Sequence, residues 1–278
     1  MHPERESFAV AFLGPLGTYT HQAAYSKFGS TVQYHERGTI TDVFNAVSTG
    51  AVHAGVVPQE NSIFGSVVET YDILRRPLVG FVRGEIVLKV QHCLLVPCGV
   101  KPEDIRFIKS HEQALGQCRG FLEKNFPSAS LEKCASTAGA AQAVLQCRNS
   151  AAICSKICAT VFDGLEVLFE GIQDRSSNFT RFYVLSAMQG LPWPSPLPDP
   201  ARCLVRLTSR SESPSISQLL AALGLPVSRL DRRPQLDGEK PFVNVYFAEV
   251  ESGDALEIEE ALQRVEASGS QAQLLGLW

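Results

Sequence analysis

This 278-residue chain has no apolar run near the ~20 residues that a membrane span requires. It also lacks a long basic run: 25 Lys and Arg face 29 Asp and Glu, for a formal net charge of -4. A nucleic-acid binder needs a cationic footprint, so that class is excluded and no membrane partner is expected. Hydrophobic residues make up 45% and charged residues 19%, which rules out wholesale disorder. The opening stretch places charges ahead of a short apolar run that ends in Gly14-Pro15, with no small-residue cleavage site. The expectation is a cytoplasmic globular protein with no signal peptide.

Metal chemistry has little to work with. The eight cysteines contain no CxxC, and most lie in apolar runs such as HCLLVPC and AAICSKICA. They read as reduced, buried small hydrophobes. All six histidines lie at or before His111, with no HExxH and no pair at metal-ligand spacing. Neither a metal nor a cofactor is expected. The N-x-T at Asn178 is not read as a glycosylation site without a secretion signal.

Proline is concentrated in one place. Five of the sixteen prolines fall in GLPWPSPLPDPA, residues 190–201, and proline fixes φ and removes a donor. A linker is placed at 189–201, separating residues 1–188 from 202–278. The first part alternates β-branched and helical runs, the mark of an α/β layout. Strands are expected at Phe8–Leu13, Ala54–Val57, Glu85–Val96, Arg106–Lys109, Leu131–Cys134, Ala151–Cys154, Glu166–Phe169 and Phe182–Leu185. Helices are expected at His21–Phe28, Thr41–Ser48, Ser66–Leu74, Ala114–Asn125, Ala138–Gln146 and Lys156–Phe162, with caps at Thr20, Ser66, Thr137 and Ser155. Residues 202–278 read as strand, helix, two strands, helix, strand, the βαββαβ order of ferredoxin-like modules.

Five polar clusters sit where strands meet helices or loops. They are Thr18-Tyr19-Thr20 in FLGPLGTYTHQAA, Glu60-Asn61-Ser62 in VVPQENSIFGSVV, and Ser110-His111 in FIKSHEQALGQC. The others are Ser136-Thr137 in CASTAGAAQAV and Asn178, Thr180 and Arg181 in DRSSNFTRFYVL. Each alone also fits a capped turn, or an arginine in a salt bridge ahead of a strand. Neither a phosphate loop nor a GxSxG elbow is present. Five such clusters at element junctions suggest one shared cleft floor.

In this order, GPLGTYTHQAA, PQENSIFGSV, SHEQALGQC, STAGAA and NFTRF resemble the prephenate dehydratase family across almost all of residues 8–186. The resemblance implies a two-lobed catalytic domain akin to type II periplasmic binding proteins. It also implies an ACT-type regulatory domain, which the βαββαβ reading supports independently. The implied reaction converts prephenate to phenylpyruvate, carbon dioxide and water, in phenylalanine biosynthesis. By the resemblance Thr180 is the residue tied to the leaving hydroxyl, with Arg181 beside it as a catalytic candidate that either binds a carboxylate or braces the strand. Thr18, Thr20, Asn61, Ser62, Ser110, Thr137 and Asn178 are the expected donors around the carboxylates. His111 is an orienting group, with a catalytic base as its alternative, and Phe182 completes the set, more as packing than as chemistry.

The pattern departs in the C-terminal module. SPSISQLLAAL stands where the family has G-A-L-x-x-x-L, and Asp231-Arg232-Arg233-Pro234 where it has E-S-R-P. Those four residues are the candidate effector site for L-phenylalanine, and the change predicts weak inhibition or none. A homodimer or homotetramer is expected, with no fused chorismate mutase. Arogenate dehydratase and a non-catalytic small-molecule sensor are the alternatives.

Overall fold

The computed structural model describes residues 8–77, 80–187, 193, 199–209, 215–236 and 243–278. The expected linker therefore lies mostly outside the described residues. Two sheets organise the chain. The first carries β1 (Ala9–Leu13), β2 (Gln33–Arg37), β3 (Ala54–Asn61), the short β4 (Gly65–Ser66), β5 (Phe81–Lys89) and β11 (Phe179–Ser186). The second carries β6 (Cys93–Pro97), β7 (Phe107–Ser110), β8 (Ser130–Lys133), β9 (Ser150–Cys154) and β10 (Leu165–Glu170), in the order β10-β6-β9-β7-β8. The chain leaves the first sheet after β5 through residues 90–92 and returns before β11 through residues 171–178. Two crossovers between two α/β lobes make the expected two-lobed plan.

The helices follow from apolar periodicity and caps. In α2 (Ile40–Ser48), Ile40, Val43, Phe44 and Val47 recur at helical spacing and are buried, and Thr39 caps the start by accepting from the Asp42 N–H. Across the first sheet, α1 (Tyr19–Phe28) packs over Val10, Phe12, Phe182 and Val184. The second lobe carries α4 (Glu112–Gln117) and α5 (Arg119–Asn125) over one face, and α6 (Thr137–Val144) with α7 (Cys158–Val161) over the other. The remaining helix of the first lobe is α3 (Val68–Leu74).

The C-terminal elements are β12 (Cys203–Ser209), α8 (Ile216–Leu223), β13 (Val227–Pro234), β14 (Asn244–Val250), α9 (Ala255–Ala267) and β15 (Ser270–Leu277), in the expected βαββαβ order. Their sheet joins the first lobe, giving the order β13-β14-β12-β15-β5-β11-β3-β1-β2. The join is parallel and rests on one register pair, Gly276 with Val82. A Cβ at position 276 would lie 2.5 Å from the Val82 Cβ and 2.8 Å from its carbonyl oxygen, so only glycine lets the strands meet there. The two units share a core, with the Phe247 ring 5.3 Å from Tyr71 and the Trp278 ring 5.8 Å from Tyr183.

Several expectations need correcting. Residues 85–96 are two strands in two sheets, separated by Val90-Gln91-His92. Residues 114–125 form two helices that break at Cys118. The polar edge strand β2 was not anticipated. Of the four expected caps, Thr20 lies inside α1 and Thr137 opens α6, while Thr18 and Ser136 do the capping. Ser66 belongs to β4, and Ser155 precedes α7 by three residues.

Candidate active site

The cleft between the lobes holds a cavity of about 320 Å³. The first lobe and the crossovers contribute Tyr19, Asn61, Phe64, Val90, His92, Asn178 and Thr180. From the second lobe come His111, Gln113, Gln117, Ser136 and Thr137.

Its floor is the junction of β3 and β11, antiparallel neighbours in which Thr180 lies opposite Asn61. The Asn61 carboxamide is fixed at both ends. Its Oδ1 accepts from the Ile63 and Phe64 N–H groups at 2.9 and 3.1 Å. Its Nδ2 donates to Asn178 Oδ1 at 2.7 Å, Thr180 Oγ1 at 3.0 Å and the Phe179 carbonyl at 3.2 Å. A hydroxyl that accepts from an amide keeps its own proton to donate. The Thr180 O–H proton is thus available to the cavity. Asn178 is buried, and among the described residues its Nδ2 has no partner, leaving a second donor at the same place.

The facing wall is a chain of neutral groups. Tyr19 Oη lies 2.7 Å from His92 Nδ1, and His92 Nε2 lies 2.6 Å from Gln117 Oε1. A carboxamide oxygen only accepts, so His92 carries its proton on Nε2 and its Nδ1 accepts from Tyr19. Burial pushes the Tyr19 phenol well above its usual value and lowers the His92 imidazole, against a smaller opposing effect of Gln117. Both groups are therefore uncharged near neutral pH. The α6 N-terminus reaches the same cavity: Ser136 Oγ accepts from the Gly139 N–H at 2.9 Å, and Thr137 is the first helical residue.

The expected site residues divide. Asn61, His111, Thr137, Asn178 and Thr180 line the cavity; His111 also caps α4 through Nδ1, 3.3 Å from the Gln113 N. The others are engaged elsewhere. The Thr18 hydroxyl donates to the Leu13 carbonyl and accepts from the His21 N–H. Thr20 is buried within α1. The Ser62 hydroxyl ties two backbones together, accepting from the Phe179 N–H and donating to the Ser177 carbonyl. Ser110 is fully buried and donates to the Ile153 carbonyl at 2.5 Å. Phe182 is core, 1% exposed against Val10, Phe12 and Val184.

Of the two roles open to Arg181, carboxylate binding and bracing of its strand, its contacts fit the second. Successive side chains of a strand point to opposite faces, so Thr180 and Arg181 diverge. The guanidinium lies 3.0 Å from Glu249 Oε2 on β14 and 3.7 Å from Glu85 Oε2. Glu249 is 2% exposed and also accepts from Tyr183 Oη at 2.6 Å and Gln59 Nε2 at 3.0 Å. Arg181 holds the C-terminal unit to the first lobe.

The expected effector residues are spent in a similar way. Asp231 accepts from Ser66 Oγ at 2.6 Å and from Arg229, which also pairs with Glu60. Arg233 forks onto Asp72 at 2.7 and 3.1 Å, and the Pro234 carbonyl accepts from Arg75. Only Arg232, exposed on the other face of β13, has no partner among the described residues. His92, Gln113 and Gln117 also line the cavity without having been expected there, and Tyr19 was named only as part of its cluster. Three of them stand inside quoted motifs, and His92 marks the crossover hidden in the fused strand.

Comparison with known proteins agrees with this architecture. The family model for prephenate dehydratase matches residues 10–189. A bifunctional chorismate mutase/prephenate dehydratase of Pseudomonas aeruginosa is 37% identical over 238 residues, covering 84% of this chain and 63% of that protein. The chain thus spans less than two thirds of that relative's length. The prephenate dehydratase of Bacillus subtilis is 31% identical over 282 residues, covering 97% and 98%. Among solved structures, a prephenate dehydratase from Arthrobacter aurescens in complex with L-Phe superposes with a TM-score of 0.79 at 26% identity, covering 97% of this chain and 89% of that one. GqqA, described as a novel type of quorum quenching acylases, also superposes with a TM-score of 0.79, at 27% identity and 97% coverage of both chains. By the reach of the family model and these alignments, the chain belongs to the prephenate dehydratase family.

Proposed function

We propose that this protein is a prephenate dehydratase, with residues 1–188 as the catalytic domain, 189–201 as the linker and 202–278 as the ACT-type domain. The observation that carries the reading is the fixed Asn61–Thr180–Asn178 cluster on the floor of the interlobe cavity.

The chemistry sets the requirements. The prephenate dianion takes up one proton and yields phenylpyruvate anion, carbon dioxide and water. As the ring carboxylate leaves, its bonding pair enters the ring, and the hydroxyl at the para position departs as the ring becomes aromatic. Hydroxide is a poor leaving group, so a hydrogen-bond donor must meet that oxygen. Thr180 fits: Asn61 occupies a lone pair of its oxygen and leaves the proton facing the cavity. A threonine hydroxyl is a weak Brønsted acid, so it acts by hydrogen bonding the departing oxygen as charge develops there. A positioned acid contributes roughly 10²–10⁴-fold, and orientation of both scissile bonds supplies much of the rest.

Asn178 Nδ2 and the first N–H groups of α6 are donors for carboxylate oxygens. The neutral Tyr19–His92–Gln117 wall suits a carboxylate that loses its charge, since it adds no cation that would stabilise the ground state. No step here calls for a redox centre or an electron sink. The test is release of phenylpyruvate, followed by ultraviolet absorbance, from purified protein and prephenate. Turnover supports the reading, and comparing kcat/KM on prephenate and arogenate assigns the substrate. No turnover on either refutes it and returns the cleft to other activities, among them the one named for GqqA.

A further inference from the structure

Beside the Thr180 cavity lies a second chamber of about 240 Å³, with Phe64, Gln117 and Asn178 lining both. This chamber adds Ile63, Gln173 and Arg175. Phe64 is 63% exposed and Ile63 43% exposed, at the tip of the β3–β4 loop. Arg175 stands on the returning crossover and is exposed, with no partner among the described residues. Its chain neighbour Asp174 also borders the chamber, but both carboxylate oxygens accept from the Gly120 N–H at 3.2 and 3.3 Å. Among the described residues, Arg175 is the only lysine or arginine lining either chamber. Arg181, the guanidinium expected from sequence, is held by Glu249 and Glu85.

Resting on the dehydratase reading, we propose that Arg175 binds the carboxylate that the substrate keeps: that of the three-carbon keto-acid side chain, not that of the ring. The two carboxylates of the dianion make opposite demands. The ring carboxylate gives up its charge in the transition state, and a cation on it would stabilise the ground state more than the transition state. The side-chain carboxylate keeps its charge throughout and can take a guanidinium without opposing the reaction. The molecule's shape agrees with two chambers. The ring hydroxyl and the side chain leave the ring at para positions, so a hydroxyl held at Thr180 sends the keto acid away from it, toward the chamber that Arg175 and Phe64 line. A free guanidinium meets a carboxylate in a bidentate fork.

Such a contact is equal in ground and transition states, so it sets KM and leaves kcat alone. Phenylpyruvate retains the same carboxylate and must use the same contact. In Arg175→Gln, the KM for prephenate and the Kd for phenylpyruvate, read by calorimetry, both rise roughly 10-fold, as loss of a charge-assisted hydrogen bond requires. The kcat stays within about threefold, as for loss of uniform binding. Arg175→Lys recovers part of the loss, because the charge returns without the fork. An unchanged thermal midpoint shows that the variant is folded. The proposal is overturned if kcat falls with KM unmoved, if KM rises while phenylpyruvate binding does not change, or if neither moves. A wild-type protein that does not convert prephenate refutes the dehydratase reading instead, before any variant is made.

Discussion

Replacing Arg181 separates a structural role from a catalytic one, because the structure assigns its guanidinium to Glu249. Arg181→Ala strips the charged partner from a carboxylate that is 2% exposed. Removing one member of a buried pair costs ~3–5 kcal/mol, whereas an exposed pair is worth ~0–1 kcal/mol. The Arg181 side chain is 29% exposed, and Glu249 keeps Tyr183 Oη at 2.6 Å and Gln59 Nε2 at 3.0 Å. These reduce the loss to ~2–3 kcal/mol, a fall in melting temperature of roughly 3–5 °C for a chain of this size. Combining Arg181→Met with Glu249→Gln removes the stranded charge and fills the space, and this double variant regains most of that stability. Urea denaturation reads stability, and phenylpyruvate release reads kcat. The double variant keeps kcat within about threefold, since an ion pair facing away from the cavity makes no contact in the transition state. A stable double variant whose kcat falls 100-fold would refute this assignment and restore Arg181 to the chemistry, by the same rule.

Acid should destabilise the protein through His21, which stacks on Phe12 at 4.6 Å and accepts from the Gly17 N–H at 3.2 Å. Burial lowers its imidazole to about 4, against a smaller opposing effect of Glu36. Between that value and the unfolded pKa of ~6.5 the unfolded chain binds the extra proton, so stability is lost as pH falls through this window. Going from pH 7 to pH 5 costs ~2 kcal/mol on this account. Urea melts at both pH values should show wild type losing that much more than His21→Gln, and parallel losses would contradict it. For phenylalanine, the commitment of Asp231 and Arg233 to Ser66, Arg229 and Asp72 predicts calorimetric binding weaker than ~1 mM, if heat is seen at all. Tight binding that disappears on replacing Asp231 or Arg232 would overturn this.

The sequence carried the architecture well and the side-chain directions poorly. Capped helix starts and β-branched runs marked most elements, and the βαββαβ order of the C-terminal unit followed from periodicity alone. The break between β5 and β6 was hidden because the apolar run Ile86-Val87-Leu88 of β5 lies close to the apolar β6, with only Val90, Gln91 and His92 between the strands. That break is where the chain changes lobes, so missing it also lost His92 from the site. β2, QYHER, is a polar edge strand whose pattern resembles a loop. The five motifs did mark the cleft, but a motif names a neighbourhood and not a contact. Ser62, Ser110 and Thr18 spend their hydroxyls on backbone groups, a choice set by tertiary neighbours 115, 43 and 5 residues away in the chain. The expected strand began at Phe182, whereas β11 starts at Phe179, so the alternation that turns Arg181 away from the face of Thr180 was not legible.

The most direct test of the account is the turnover of Thr180→Val set beside that of Thr180→Ser. Valine keeps the shape and the packing while removing the hydroxyl, and Asn61 retains Asn178 and the Phe179 carbonyl as partners. The account predicts a kcat at least ~100-fold below wild type for valine, and serine within about tenfold of wild type, as loss and retention of a positioned donor require. Valine turning prephenate over within severalfold of wild type would contradict it.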